Sequence, residues 1–218
     1  AEALARAGVG RVTLIDLDEV CVSNINRQVH ADTGSVGRLK VEVMMERIRA
    51  VNPLCEVEAC PRFLTEGSVD SLLHGKDHDF VFDAIDHVRH KCVILEACRV
   101  AGVQVLTAGA AGGRRDPSQV RVADLSEARN DRLLQKVRKR LRQRFGFPKS
   151  PRRMRVSCVF SPELPVYPRS DGSVACEREP ESDLRLNCDA GYGTVGCVTG
   201  SFGFVAAAWI LARLAGGR

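Results

Sequence analysis

The stretch RVTLIDLDEVCVSNINRQ, residues 11–28, passes abruptly from an apolar run into a long polar segment. Val12–Ile15 has the short apolar pattern of a strand that is buried in a parallel sheet. Residues 16–28 then combine carboxylates, amides, a serine and an arginine, although a plain turn requires only about two or three polar residues. We therefore expect this segment to hold a ligand where the strand ends.

Strands and helices alternate from this segment to residue 113. A helix that carries Val41, Met44, Ile48 and Val51 on one face is predicted to stop at Pro53. The further predicted elements are strands at 55–60, 79–86 and 103–113 and a helix at 87–102 that is closed by its final glycine. Such alternation predicts an α/β fold, with a Rossmann-like, mainly parallel sheet flanked by helices.

The second half of the chain departs from this alternation. Residues 129–155 carry twelve basic side chains and one acid, Asp131. An apolar stripe of Leu133, Val137 and Leu141 predicts an amphipathic basic helix over residues 129–144. A strand is expected in VSCVFSPE, and residues 162–190 are expected to form a long crossover loop.

An apolar C-terminal helix is predicted over residues 199–215, as an extension of the fold. About fifteen apolar residues precede Arg213, fewer than the ~20 that a membrane-spanning helix requires. We therefore expect core packing and no transmembrane span.

The cysteine pattern indicates a reducing, cytoplasmic compartment. Nine cysteines in 218 residues are an odd number, and the long chain does not resemble a small disulfide scaffold. Cys98, Cys158 and Cys197 lie in apolar runs, where a reduced thiol behaves as a small hydrophobic group. No CxxC motif occurs, so no zinc is expected.

Five charged side chains outline a candidate nucleotide site. Asp16, Asp18 and Asp86 stand at the carboxyl ends of predicted strands, where α/β sheets bind ligands. Arg27 offers a planar fork for phosphate oxygens, and Lys40 opens a helix whose N-terminus also attracts phosphate. Asp16 can accept from ribose hydroxyls, and Asp86 can hold Mg²⁺. The alternative that Asp16 and Asp18 merely cap the loop stays open.

These residues resemble those of a known family. The motifs DLDEVCVSNINRQ, GRLKVEVMMERI and DAID are similar to those of E1-like (ThiF/MoeB/HesA) adenylating enzymes, which include ubiquitin-activating enzymes and molybdopterin-synthase adenylyltransferase. Within that family, VSCVFSPE, PVYPRSDGSV and NCDAGYGTVGCVTGSFGFVA most resemble tRNA threonylcarbamoyladenosine dehydratases. The resemblance covers nearly the whole chain.

The resemblance implies an ATP-dependent cyclisation on tRNA. The carboxylate of N6-threonylcarbamoyladenosine, beside the anticodon at position 37 of ANN-decoding tRNA, would attack the α-phosphate of ATP. Pyrophosphate leaves, an atom of the modification then attacks the activated carbonyl, and AMP is released. The resemblance also implies a homodimer and raises the question of a sulfur-transfer partner.

Residue roles follow from the same resemblance. Asp16, with Asp18 beside it, would bind the ribose, and Asn24 and Arg27 the phosphates. Lys40 would neutralise charge at the α- and β-phosphates. Asp86 would hold Mg²⁺ or position the attack. Arg27, Lys40 and Asp86 are therefore the candidate catalytic residues, with ATP and Mg²⁺ as the expected ligands.

The basic segment is a candidate tRNA contact, because clustered Lys and Arg side chains are typical of nucleic-acid-binding surfaces. A solvated helix is the alternative. The candidate nucleic-acid-binding residues are Lys136, Arg138, Lys139, Arg140, Arg142 and Arg144. On this interpretation residues 1–218 form one ATP-binding domain, with a nucleotide-binding core at 1–113 and a substrate half at 114–218.

Two features limit the resemblance. The glycine-rich phosphate loop of the family would precede Ala1, so we expect weak or no catalysis by this 218-residue chain compared with an N-terminally extended form. Cys176 and Cys188 occupy the region where some relatives carry a catalytic cysteine, but ring closure needs no thioester. The principal alternative function is activation of a ubiquitin-like or sulfur-carrier protein. A binding protein without activity is a third interpretation, and a nicotinamide dehydrogenase fits the charges poorly.

Overall fold

The computed structural model describes residues 1–73, 78–177 and 193–216. Its helices are α1 Glu2–Arg6, α2 Lys40–Val51, α3 Val69–Leu73, α4 Val88–Ala101, α5 Arg132–Arg144 and α6 Gly196–Leu214. Its strands are β1 Arg11–Ile15, β2 Glu56–Cys60, β3 Phe80–Asp83, β4 Gln104–Ala108, β5 Arg121–Asp124, β6 Ser157–Phe160, β7 Tyr167–Pro168 and β8 Val174–Ala175. These elements are divided between two compact units, and the boundary between the units falls within α6.

The first unit comprises Ala1–Arg62, Ala111–Gln119 and Glu163–Phe204. Its strands β1 and β2 pair in parallel, from Arg11 opposite Glu56 to Ile15 opposite Cys60. Helices α1 and α2 cover this pair with an aliphatic cluster. The cluster is built on Ala5, Ile48 and Cys55, with Val12, Leu14, Met44, Val51 and Val57 packed against it.

The second unit comprises Phe63–Ala110, Val120–Pro162 and Val205–Arg218. Its four strands follow the order β3-β4-β6-β5, in which β5 alone runs antiparallel to its neighbour. Helix α4 ends at Gly102, whose φ of 70° is the left-handed conformation expected of a C-terminal glycine. The predicted α/β class with mainly parallel sheets and flanking helices is confirmed.

Several predicted boundaries and faces were wrong. The basic helix begins at Arg132, not residue 129, because Asp131 caps it by accepting from the Leu134 N–H. Its buried stripe contains Leu134 in place of Leu133. The predicted loop 162–190 contains the short hairpin β7–β8, and its part from residue 178 onwards lies outside the described residues. Cys197, predicted in a buried run, is exposed.

The C-terminal helix α6 is longer than predicted, since it begins at Gly196 and extends to Leu214. Among the described helices it alone is long and apolar enough to cross a membrane, and 28% of its most apolar stretch is buried. Its buried side chains form one stripe of Val198, Phe202, Ala206, Ala207 and Ile210. Length and composition are weak evidence for a span, so core packing stays a prediction.

Arg155 adopts a backbone conformation that glycine normally supplies. Its φ is 58°, and its N–H donates to Asp124 Oδ2 over 2.8 Å. Burial would raise the pKa of Asp124, but hydrogen bonds from Ser126, Met154 and Arg155 outweigh burial and lower that pKa. The Asp124 carboxylate therefore holds the turn that leads into β6.

Arg155→Gly is expected to change the free energy of unfolding by less than about 1 kcal/mol, because relief of left-handed strain offsets the added backbone entropy. The control is Arg153→Gly, at an exposed position without positive φ that pairs with Glu127, which gains no such relief. Urea unfolding should show Arg153→Gly as the more destabilised variant. The reverse order would contradict the strain argument.

Candidate active site

The segment that follows β1 is shaped by its own carboxylates. The Asp16 N–H extends the β1–β2 pairing by donating to the Cys60 carbonyl over 3.3 Å. Asp16 Oδ1 in turn accepts from the Asp18 N–H over 2.8 Å. Asp16 thus lies at the carboxyl end of β1, as predicted, and one of its oxygens is used to turn the chain.

Asp18 and Lys40 lie together although twenty-two residues separate them in sequence. The chain between Asp18 and Val20 runs antiparallel to residues 37–40, with hydrogen bonds from Lys40 N to Asp18 O and from Val20 N to Arg38 O. This pairing brings Lys40 Nζ to 2.8 Å from Asp18 Oδ2. The Lys40 side chain is 16% exposed, and Lys40 is the first residue of α2. A positive charge is therefore fixed at a helix N-terminus, where it and the helix amides favour an anion.

The loop that carries Arg27 is a compact turn. Asn24 is buried, and its side-chain oxygen accepts from the Cys21 N–H over 3.1 Å. The Arg27 guanidinium donates to the Ser23 carbonyl and, over 3.0 Å, to Asn26 Oδ1. The side chains of both predicted phosphate ligands thus hydrogen-bond within their own loop, and Asn24 has a structural role that was not predicted.

The start of α6 supports this loop through contacts that sequence analysis missed. Asn26 Nδ2 donates to the Thr194 carbonyl over 2.9 Å, and Thr199 Oγ1 donates to the Arg27 carbonyl over 2.8 Å. A Cβ atom at Gly196 would lie 3.2 Å from the Asn26 carbonyl oxygen, so the close approach favours glycine. Thr194, Gly196 and Thr199 lie in the motif NCDAGYGTVGCVTGSFGFVA. The motif alone does not reveal which loop these residues contact in the folded chain.

Two buried polar atoms shortly after Arg27 in the sequence lack a hydrogen-bond partner. Gln28 Oε1 and His30 Nε2 are shielded from solvent and have no hydrogen-bond partner within the described residues. Burial lowers the pKa of His30, and the positive charges of Lys40 and Arg47 lower it further. A buried polar atom without a partner costs about 1–3 kcal/mol. A polar ligand that reaches these atoms would recover that free energy.

Asp86 belongs to the second unit and lies in the turn between β3 and α4. It is exposed, so a ligand from solvent can reach it. The turn begins at the buried Asp83, whose Oδ1 accepts from the Ile85 N–H over 2.9 Å. The predicted strand 79–86 was too long, because β3 ends at Asp83 and Asp86 follows it in the turn. A carboxylate there supplies the oxygen ligands that Mg²⁺ prefers.

A glycine at the end of β4 allows a close contact within the second unit. A Cβ atom at Gly109 would lie 2.2 Å from Asp131 Oδ2, which accepts from the Ala110 N–H over 2.9 Å. The group that lies so close to Gly109 is the Asp131 carboxylate, which also caps α5.

Helix α5 presents its basic side chains in two ways. Lys136, Lys139 and Arg144 are exposed. Arg138 donates to the Leu125 and Ala128 carbonyls, and burial lowers its pKa, while Arg142 Nε donates to the Pro148 carbonyl over 3.0 Å. A cleft of ≈ 670 Å³ on this helix is lined by Gln135, Arg138, Lys139, Arg142, Gln143 and Lys149. The helix therefore combines structural arginines with a basic surface able to meet phosphates.

The thiols do not form a catalytic arrangement within the described residues. The eight cysteines found there form no disulfide. Burial raises the pKa of Cys92 to about 11 and that of Cys98 and Cys158 to about 12, so these three are poor nucleophiles. Cys176 is exposed, and Cys188 lies outside the described residues. The part of the chain that the structure describes contains no group of three or more His, Cys, Asp or Glu side chains arranged to hold a metal.

Comparison with known proteins gives a consistent picture. Residues 1–217 match the ThiF family. The tRNA threonylcarbamoyladenosine dehydratase of Escherichia coli (strain K12) is 44% identical over 216 residues, which are 98% of this chain and 80% of that protein.

Solved structures of the E. coli enzyme, TcdA, align with nearly the whole of this chain. Its complex with ATP has a TM-score of 0.85 and 40% identity, over 99% of this chain and 79% of that one. Its complex with AMP has a TM-score of 0.85 and 41% identity, over 99% and 80% respectively. The chain belongs to the ThiF family of adenylating enzymes, within which it groups with the tRNA threonylcarbamoyladenosine dehydratases.

Proposed function

We propose that this chain catalyses the ATP-dependent dehydration of N6-threonylcarbamoyladenosine at position 37 of tRNA. The observation that carries the proposal is the alignment of 99% of the chain with a dehydratase solved in complex with ATP. That alignment includes the basic helix and the start of α6 as well as the nucleotide motifs, so the likeness extends beyond the features common to adenylating enzymes.

The proposed reaction has two steps. A carboxylate oxygen of the threonyl group attacks the α-phosphorus of ATP, and the bond to pyrophosphate breaks. A nucleophilic atom of the same modification then attacks the acyl carbon, loses its proton and expels AMP. The oxygen that is lost from the carboxylate leaves on AMP, so the tRNA loses the elements of one water.

Positive charge near the phosphates is the main contribution of the first unit to this chemistry. The Lys40 ammonium has three donors, of which Asp18 accepts one, and the others can donate to α- and β-phosphate oxygens. Arg27 and the side-chain NH₂ of Asn24 would bind further phosphate oxygens, and Asp16 would accept from the ribose. Fixed donors of this kind stabilise the charge that develops in the transition state.

Asp86 is the proposed Mg²⁺ ligand. The ion would neutralise phosphate charge and so ease departure of pyrophosphate. The exposed carboxylate of Asp86 fits a hard cation, and a second role in orienting the attacking carboxylate is compatible with this position.

Helix α5 is the proposed tRNA contact, through phosphates and not through bases. Lys136 and Lys139 are the residues to change, because both are exposed whereas Arg138 donates to backbone carbonyl groups. The double variant Lys136→Gln/Lys139→Gln should reduce the slope of log K for tRNA against log salt by about 1.5–2, as expected for two lost phosphate contacts. Filter binding over a salt series measures this slope.

The matched control removes two positive charges elsewhere, in Arg6→Gln/Arg49→Gln. It should leave the salt slope within error of the parent, and both double variants should bind ATP like the parent. Equal slopes for the parent and the α5 variant would remove α5 from the tRNA-binding surface.

Other properties are inferred from the family resemblance. We infer a homodimer that acts in the cytoplasm on threonylcarbamoylated, ANN-decoding tRNA. A sulfur-transfer partner is a further inference of the same kind. Analytical ultracentrifugation at micromolar concentration would test the dimer directly.

The test of function uses unfractionated tRNA that carries the modification. The 218-residue chain, and alongside it a form extended by a glycine-rich phosphate-binding segment, would be incubated with ATP and Mg²⁺. After digestion to nucleosides, mass spectrometry should show threonylcarbamoyladenosine converted to a product lighter by one water. An unchanged nucleoside from both forms would refute the proposal, and an adenylate on a carrier-protein C-terminus would support the alternative.

A further inference from the structure

A buried ionic cluster within the second unit is centred on Asp83, at the start of the turn that contains Asp86. The side chains of Asp83 and Lys91 have no exposed surface, and Lys91 Nζ lies 2.8 Å from Asp83 Oδ2. Thr107 is also fully buried, and its Oγ1 donates to Asp83 Oδ2 over 2.7 Å and accepts from Lys91 Nζ over 2.9 Å. The three side chains therefore form a closed hydrogen-bonded triangle.

This triangle is costly compared with an apolar core. Each buried ion loses several kcal/mol of hydration, and apolar side chains of the same volume often stabilise a protein equally well or better. Stability alone is therefore a weak reason for an ion pair here. A requirement for a defined local geometry explains the choice of residues better.

The triangle joins three elements around one turn. Asp83 is the last residue of β3, Thr107 lies near the end of β4, and Lys91 lies in the first turn of α4. The other oxygen of Asp83 accepts from the Ile85 N–H, the residue immediately before Asp86. One carboxylate thus links the triangle to the backbone that presents Asp86.

We propose that Lys91 and Thr107 are positioning residues for Asp86. They hold the Asp83 carboxylate in one orientation, and Asp83 shapes the turn so that the Asp86 carboxylate is fixed for the adenylation step. All three buried side chains act through Asp86 and none of them contacts substrate. The inference rests on the proposed function, since it assigns Asp86 a role in that reaction.

The test compares Thr107→Val with Thr107→Ser in the form of the enzyme that dehydrates tRNA. Valine keeps the volume but removes the hydroxyl, whereas serine keeps the hydroxyl and loses a methyl group. Thr107→Val should lower kcat for adenylate formation at least tenfold, with KM for ATP changed less than about threefold. It should also raise the Mg²⁺ concentration required for half-maximal rate. Thr107→Ser should retain kcat within about twofold, even if its urea midpoint falls.

The two variants distinguish positioning from packing. If the parent enzyme is active and Thr107→Val and Thr107→Ser have equal kcat and equal Mg²⁺ dependence, the inference is overturned and the proposed function stands. If the parent does not convert modified tRNA, the proposed function fails and the inference falls with it. If Thr107→Val does not fold, Thr107→Ala, which also lacks the hydroxyl, takes its place in the comparison.

Discussion

Lys40→Met is expected to lower kcat/KM for adenylate formation about 10²–10³-fold, which corresponds to about 2.7–4 kcal/mol of transition-state stabilisation. The physical reason is that Lys40 is 16% exposed and fixed by Asp18 at the N-terminus of α2, so its charge is already oriented before the phosphates arrive. Methionine keeps most of the length and removes the charge. Release of pyrophosphate in the presence of modified tRNA measures the rate.

Arg38→Met is the matched control, because Arg38 lies two residues earlier, is exposed and pairs with Glu46. It should keep kcat/KM within about threefold of the parent. Asp18→Asn should give an intermediate loss, since Lys40 keeps its charge and loses its carboxylate partner. Equal activity of Lys40→Met and Arg38→Met would show that Lys40 does not bind the reacting phosphates.

Lys91→Met is expected to reduce the free energy of unfolding by about 3–5 kcal/mol, because it leaves the Asp83 carboxylate buried without its counterion. A loss of this size is a large part of the 5–15 kcal/mol that is typical of a folded domain. Equilibrium unfolding in urea, followed by far-ultraviolet circular dichroism, measures the change.

The double variant Asp83→Asn/Lys91→Met serves as the control for charge. It removes both ions and keeps a side-chain oxygen that can accept from the Ile85 N–H, so most of the lost stability should return. If the double variant is as unstable as Lys91→Met, packing around the lysine stem, and not the unpaired charge, dominates the effect.

Many of the regular elements could be predicted from the sequence because they depend on local pattern, whereas α3, β5 and the β7–β8 hairpin were not predicted. β1, β2 and β4 are short apolar or alternating runs, and α4 ends at Gly102 as its sequence indicated. The same local reasoning predicted Asp16 at a strand end and Lys40 at a helix start, and both positions are confirmed.

The predictions failed where a shift of one residue along a helix moves a side chain from one face of the helix to another. Leu133 and Leu134 are adjacent and chemically identical, so only the cap at Asp131 and the packing of α5 decide which of them is buried. Likewise, Arg138 and Lys139 are adjacent basic residues, but Arg138 lies where the Leu125 and Ala128 carbonyls need a donor. Composition predicted a basic helix without distinguishing these two roles.

The supporting residues of the site could not be predicted, because they depend on tertiary contacts. Nothing in the spacing indicates that Thr199 donates to the Arg27 carbonyl, 172 residues earlier in the chain. Lys91 gave no signal of burial, because it follows Arg89 and His90 and precedes the apolar run that begins at Cys92. Its partners Asp83 and Thr107 lie on separate strands, so the triangle became evident only in the folded chain.

Transfer of an oxygen atom tests the central claim, carboxyl adenylation, most directly. Modified tRNA would be prepared with oxygen-18 in the threonyl carboxylate and incubated with unlabelled ATP, Mg²⁺ and enzyme, and the released AMP analysed by mass spectrometry. If the carboxylate attacks the α-phosphorus, AMP acquires one heavy oxygen for each nucleoside dehydrated. Unlabelled AMP, or ADP and phosphate as the products, would contradict adenylation of the carboxylate by this site.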